Sequence, residues 1–243
     1  MNSNSSHNSD FQTDFEETLY HITHDLRAAF RAVKALSEWT REDLTKECGS
    51  ISPSVSENLD LLEARAIRAD QMMLDLRTYS RVGRQSAKPS TVYLKAIVAR
   101  AAEALDLNSK IEIHVNLGVH AIVAPANDCA LLFETIFSNT VKHHDRDSGT
   151  IIVTSKMVDD RVRITIEDDG PGIPIQDRER AFALMQTLLP RDECEGSGLG
   201  LSIARKIVGR LDGSIEINGP DGERGTLIDI SLPAKIAAMA DTD

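Results

Sequence analysis

The chain has 243 residues, 27 basic and 38 acidic side chains, a formal net charge of −11 and 41% hydrophobic residues, which suits one large or two small globular domains with real cores. The acidic balance disfavours non-specific binding to nucleic acid or anionic membrane, and no apolar run approaches the roughly 18 residues of a membrane span. Three scattered cysteines, Cys48, Cys129 and Cys194, make neither a disulfide framework nor a zinc spacing, and the polar start MNSNSSHNSD has no signal-peptide core, so a cytoplasmic chain is expected.

Residues 1–10, rich in Ser and Asn, are expected to be disordered. Thr13-x-x-Glu16 is a capping box, so a helix is predicted to start there, with Asp14 and Glu17 adding acid to its first turn. Its apolar seam, Phe15, Leu19, Ile22, Leu26, Ala29, Val33 and Leu36, steps as a heptad and runs toward Cys48, where Gly49 stops it. A second capping box, Ser54-x-x-Glu57, opens a second seam: Val55, Leu59, Leu62, Ala66, Ala69, Met73 and Leu76. Residues 11–84 therefore read as an antiparallel helical hairpin. Two such seams cannot be buried within one hairpin, so a homodimer through a four-helix bundle is expected.

Gly, Ser and Pro mark 85–90 as a linker. Beyond it, residues 93–105, 127–144 and 199–211 read as helices, and 111–117, 120–124, 151–157, 161–167, 214–218 and 226–232 as strands. A long loop with one short helix fills 170–198. The mixed strands with helices to one side predict an α/β two-layer sandwich over 91–235, followed by a tail at 236–243, giving an α+β chain overall.

Four clusters could carry chemistry. His24 falls at the outward f position of the first seam, where its imidazole is accessible as a nucleophile, and Asp25 beside it can orient the ring or accept a proton. A polar residue at f is equally a solvated face, and His21 keeps that reading. In Asp168-Asp169-Gly170-Pro171-Gly172 a strand-end carboxylate could accept an exocyclic amine, although Asp and Gly also make ordinary turns. Gly196-Ser197-Gly198-Leu199-Gly200-Leu201 leads into a helix, as a phosphate cradle does, but is not a P-loop. Asn139 and Lys142 share a helix face, and an amide oxygen suits Mg²⁺ while a lysine suits phosphate. The alternative there is a basic helix C-terminus.

In this order the clusters resemble the sensor histidine kinases of two-component signalling. His24-Asp25-Leu26-Arg27-Ala28-Ala29 is similar to the H-box, Asn139 through Asp145 to the N-box, Asp168-x-Gly170-x-Gly172-Ile173-Pro174 to the first G-box and Gly196 through Leu201 to the second. Gly225-Thr226 resembles the closing Gly-Thr, and Tyr79 through Arg84 resembles the second-helix end of phytochrome-like kinases. The resemblance implies a dimerisation and phosphotransfer hairpin followed by a GHKL (Bergerat) ATP-binding domain. It implies that His24 takes the γ-phosphoryl group of ATP, with Asp25 as general-base partner, and passes it to an aspartate of a response regulator receiver domain. Asn139 would hold Mg²⁺, Lys142 the phosphates and Asp168 adenine N6, with His143 packed on adenine. Gly170, Gly172, Gly196, Gly198, Leu199 and Gly200 would shape the pocket, Thr226 would support it, and a lid would span about 176–196.

Three positions depart from the pattern. Thr135 replaces the usual Asn or Glu four residues before Asn139, and the nearby Glu134 is rotated about 100° away. That argues against a chaperone-, repair- or topoisomerase-type ATPase, which needs a water-activating carboxylate. Ala28 stands where many kinases carry Thr or Asn, implying weak phosphatase activity, and Ala29 replaces a proline, implying a smaller helix kink. Residues 1–10 leave no room for a sensor domain, so a separate sensor protein is expected, or the sequence is a piece of a longer one. The remaining alternatives are a histidine phosphotransfer dimer with a degenerate, non-catalytic ATP domain, and a dimeric scaffold.

Overall fold

A computed structural model describes residues 3–83, 88–105, 110–187, 196–219 and 224–234, with side chains from residue 19 onward. The expected tail at 236–243, residues 85–87 of the linker and part of the lid lie outside these residues. The chain divides into two units, residues 1–80 and 81–243.

The first unit is helical. α1 spans Ser3–Cys48, with the Gly49 amide donating to the Thr45 carbonyl at 3.0 Å, and α2 spans Pro53–Arg81. Residues 3–10 are the first turns of α1 and not the disordered segment expected. No Pro or Gly interrupts 1–12, and once a following helix is nucleated each Ser or Asn adds only a modest cost. The start of α2 also differs from expectation. Ser52, not Ser54, is the cap, its Oγ accepting the Val55 amide at 3.4 Å, and Pro53 takes the first helical position that its missing N–H favours.

Of the apolar seams, Ala66 of α2 is buried, whereas Ile22, Leu26, Val33 and Leu36 of α1 are exposed. Among the described side chains of α1, Thr23 and Ser37 are the buried ones, and each immediately follows a seam residue, Ile22 and Leu36, which are 50% and 56% exposed. Arg27 Nε donates to Asp70 Oδ1 at 2.8 Å, while Arg41 reaches Ser56 Oγ at 3.0 Å and Asp60 Oδ1 at 2.6 Å. The intra-hairpin face is thus polar, with the small Ala66 and Ser80 buried on α2. Leu26, Val33, Val55 and Leu62 stay exposed, so the seams remain available to a partner.

The second unit is an α/β two-layer sandwich. Its elements are β1 Ser90–Tyr93, α3 Leu94–Glu103, β2 Lys110–Leu117, β3 Ala121–Ala124, α4 Ala126–His143, β4 Ser148–Val158, β5 Arg161–Asp168, α5 Ile175–Arg178, a 3-10 turn Arg180–Phe182, α6 Gly200–Arg210, β6 Ser214–Asn218 and β7 Thr226–Pro233. The main sheet runs β2-β4-β5-β7-β6, parallel only between β2 and β4. Inward residues alternate along β5 (Val162, Ile164, Ile166) and β7 (Ile228, Ile230, Leu232), as period-2 patterning requires. The apolar faces of α3, α4 and α6 close the core with Leu94, Phe133, Ile136, Phe137, Ile207 and Val208. The other sheet face is polar, with Thr154 bonded to Thr165 at 2.6 Å and Arg163 paired with Asp229. Ser90, expected in the linker, already pairs with Ala124, and Tyr93, expected in a helix, ends that strand. Four residues are too few for alternation to announce a strand.

Candidate functional site

In the helical unit, His24 lies on the exposed face of α1, its side chain 62% accessible, as its heptad position predicts. Its Nδ1 is 3.1 Å from Asp25 Oδ1. A carboxylate only accepts, so the ring proton belongs on Nδ1 and the Nε2 lone pair is free. Tyr20, one turn earlier, holds its ring 6.4 Å from that of His24 with 21° between the planes. The Arg77 guanidinium of α2 stands 4.8 Å over the Tyr20 ring. Its buried Nε lacks a hydrogen-bond partner, so the aromatic face supplies part of the missing solvation. Neither Tyr20 nor Arg77 was expected from sequence. The i, i+4 spacing of Tyr20 and His24 was the available signal.

In the sheet unit, the end of β5 places Asp168 among donors. Its Oδ1 accepts the amides of Gly170 at 3.0 Å and Thr226 at 3.2 Å, and its Oδ2 accepts the Thr140 hydroxyl at 3.2 Å. Burial pushes the Asp168 carboxyl above its ordinary range, and these three hydrogen bonds pull partly against that. Asp168, Gly170 and Thr226 are therefore brought together. Thr140, buried on α4, is an addition that sequence reading passed over, although it directly follows Asn139. The Gly225 amide donates to the Gly170 carbonyl at 2.9 Å. Gly225 has φ +104° and a Cβ there would come 2.7 Å from the Asp168 carbonyl oxygen, so only glycine allows the approach.

Along α4, Asn139 is half-buried, Lys142 exposed and His143 half-buried. Burial lowers the His143 imidazole, aided by the neighbouring Lys142 and opposed by Asp168. Glu134, the other carboxylate near this face, is paired with Arg100 Nε at 3.3 Å. Thr135, one turn before Asn139, would meet a Cβ at Gly200 at 3.3 Å, so α6 begins against the same helix face. Leu199, just before α6, is fully buried and provides no side-chain cap, and its own amide donates to Ser197 Oγ at 3.1 Å. Gly198 has φ +70°, and a Cβ would strike the Gln186 backbone, which fixes the glycine loop against the root of the expected lid. Gly172 and Gly196 flank these elements in chain order; Gly196 borders open space.

This site fits a nucleoside triphosphate. The buried carboxylate retains acceptor capacity for an amine, uncapped helix amides suit phosphate, and Asn139 offers one hard oxygen. Among the described residues no group of three His, Cys, Asp or Glu could hold a metal alone, so a cation here would draw its other ligands from phosphate and water.

The fold and site define an ATP-binding domain of the GHKL class. Residues 126–236 match the family described as histidine kinase-, DNA gyrase B-, and HSP90-like ATPase. The chain is 26% identical over 224 residues to the methanogenesis regulatory histidine kinase FilI of Methanothrix harundinacea, covering 90% of this chain and 25% of that protein. It is 25% identical over 224 residues to the phytochrome-like protein Cph1 of Synechocystis, covering 90% and 29%. In fold it is similar to full-length ShkA solved in complex with AMPPNP, at TM-score 0.65 and 19% identity, covering 92% of this chain and 46% of that one. Over most of its length the chain is thus similar to histidine kinases, and residues 126–236 carry the ATPase-family match. It spans about a quarter of the length of the curated relatives it matches. No helix among the described residues is long and apolar enough to cross a membrane.

Proposed function

We propose that the chain is an ATP-dependent protein-histidine kinase that phosphorylates His24 and transfers the group to a receiver-domain aspartate of a response regulator. The observation that carries this reading is His24 itself, exposed, with Nδ1 against Asp25 and Nε2 free. The Nε2 lone pair attacks the γ-phosphorus, the bond to the β,γ-bridging oxygen breaks and ADP leaves. Asp25 offsets the charge of the phosphorylated ring through the Nδ1 proton and accepts that proton as the ring returns to neutrality. A receiver carboxylate oxygen then displaces Nε2 from phosphorus as Asp25 returns the proton to Nδ1, so that the ring leaves as neutral imidazole. Asp168 takes the adenine amine with Thr226 in support, and His143 packs on the base. Lys142 and the amides after Gly196, Gly198, Leu199 and Gly200 face the phosphates, with Gly170 and Gly172 shaping the wall. Asn139 holds Mg²⁺, which when bound neutralises phosphate charge.

The exposed seams support a homodimer through 11–84. The methyl of Ala28 can orient no water, which supports weak phosphatase activity toward the regulator. The test is labelling with γ-labelled ATP and Mg²⁺ in wild type, His24→Gln and Asn139→Ala. Acid-labile, alkali-stable label absent from both variants is expected. Nucleotide binding without label in wild type would point to an inactive state awaiting a partner, and no label with no binding would instead favour the phosphotransfer dimer with a degenerate ATP domain, or a dimeric scaffold.

A further inference from the structure

The loop carrying Asp168 is held by residues to which the reading above gives no part. His144, just after α4, has a side chain only 2% exposed. Its Nδ1 lies 3.1 Å from the Arg146 carbonyl oxygen and 3.2 Å from the Arg146 amide, and its Nε2, facing an acceptor-only carboxylate, donates to Asp169 Oδ1 at 3.1 Å. The same oxygen accepts the Thr150 amide of β4 at 2.7 Å. These bonds, the Thr150 amide first, hold the Asp169 carboxyl below its usual range.

From just before β7, Arg224 forks onto Asp145 at 2.9 and 2.7 Å, and its Nη2 also donates to the Asp169 carbonyl at 3.0 Å. Asp169 is thereby fixed at both its side chain and its backbone. The His144 ring fills a fitted slot, since a Cβ at Gly149 would overlap its Nε2 and one at Gly170 would lie 3.6 Å from its Cδ2.

Asp169 joins Asp168 to Gly170, so whatever fixes it also fixes the direction in which the Asp168 carboxylate points. We propose that His144 and Arg224 are positioning residues of the nucleotide site, acting through Asp169 to hold Asp168 in its binding orientation. The proposal rests on the nucleotide-binding function above. Neither residue is required to touch the nucleotide. Its signature is therefore lost affinity with an undiminished phosphoryl-transfer rate at saturation, a split that general unfolding would not give.

The experiment measures ADP affinity by titration calorimetry, the His24 labelling rate across ATP concentrations and the thermal unfolding midpoint, all on the full chain. His144→Ala and Arg224→Ala are expected to weaken ADP binding and raise the KM for ATP about tenfold, with the saturating rate within about twofold. Arg224→Lys should resemble Arg224→Ala, because one ammonium cannot reproduce the fork and the carbonyl bond together. Asp169→Asn keeps an acceptor oxygen and should recover most of the affinity lost in Asp169→Ala. The double variant His144→Ala, Asp169→Ala should be little worse than either alone. Unchanged affinity in His144→Ala and Arg224→Ala overturns the proposal, as does loss of rate and midpoint together without recovery in Asp169→Asn. Wild type that fails to bind ADP overturns the nucleotide reading itself, a result separable from the variant pattern.

Discussion

The two units bury opposite kinds of residue. In the sheet unit, Phe133, Ile136, Phe137, Ile164 and Ile230 are all but inaccessible, and the charged pairs lie outside. In the hairpin, Thr23, Ser37, Ala66 and Ser80 are inside, with ion pairs along the helix contact, while Ile22, Leu26 and Leu36 face out. Each unit has ample apolar surface. What differs is whether that surface is spent within the chain. The sheet unit closes its own core, whereas the hairpin leaves apolar residues exposed and joins its helices through polar contacts.

The largest test of this contrast is Leu26→Asp with Leu62→Asp. Four leucines leave the interface of the proposed dimer, at about 1.5–3 kcal/mol each. Sedimentation velocity should show monomer, with the sheet unit's unfolding unchanged; a persistent dimer would place the interface elsewhere. Next, Phe137→Ala should destabilise the sheet unit by about 3–5 kcal/mol in denaturant unfolding and leave the dimer intact.

Asp168→Asn sharpens the comparison inside the sheet unit. Burial raises this carboxyl above its unfolded value, so its ionised form opposes folding, and stability falls as pH rises through the folded pKa. The variant should therefore unfold at the same or a higher midpoint at neutral pH, an advantage lost below about pH 4, while nucleotide affinity drops about tenfold or more. A parallel loss of stability would show that Asp168 is structural. The smallest effect belongs to Asp145, held down to about 2 by the Arg224 hydrogen bond. That pair contributes above the unfolded carboxyl pKa and is lost as pH falls through about 2, so Asp145→Asn should flatten that part of the acid unfolding curve.

Much of this was legible in sequence because it is local. Gly49, Pro53 and the heptads bound the helices, and Val162, Ile164 and Ile166 announce an inward strand face. What stayed hidden is relational. A heptad shows that a seam exists but not what covers it, so the polar contact one residue along, from Thr23 to Ser37, could not be read. The site behaved alike. Asp168 and the glycines stand in recognisable strings, whereas Thr140, His144 and Arg224 matter only through partners 28, 25 and 79 positions away. Ser52 was passed over as a cap because Ser54 and Glu57 offered a more familiar pattern.

The last strand also has a consequence for how the molecule is made. β7 lies between β5 and β6, with all eight of its residues paired to β5. The sheet therefore cannot be completed until residues near 233 have left the ribosome, long after the hairpin has emerged with its leucines exposed. A chain cut before Thr226 would leave β5 and β6 as facing, unpaired edges in the middle of the sheet, and Asp168 without the amide that steadies it. The nascent sheet unit is thus most vulnerable to mispairing while the apolar residues of the hairpin are already exposed.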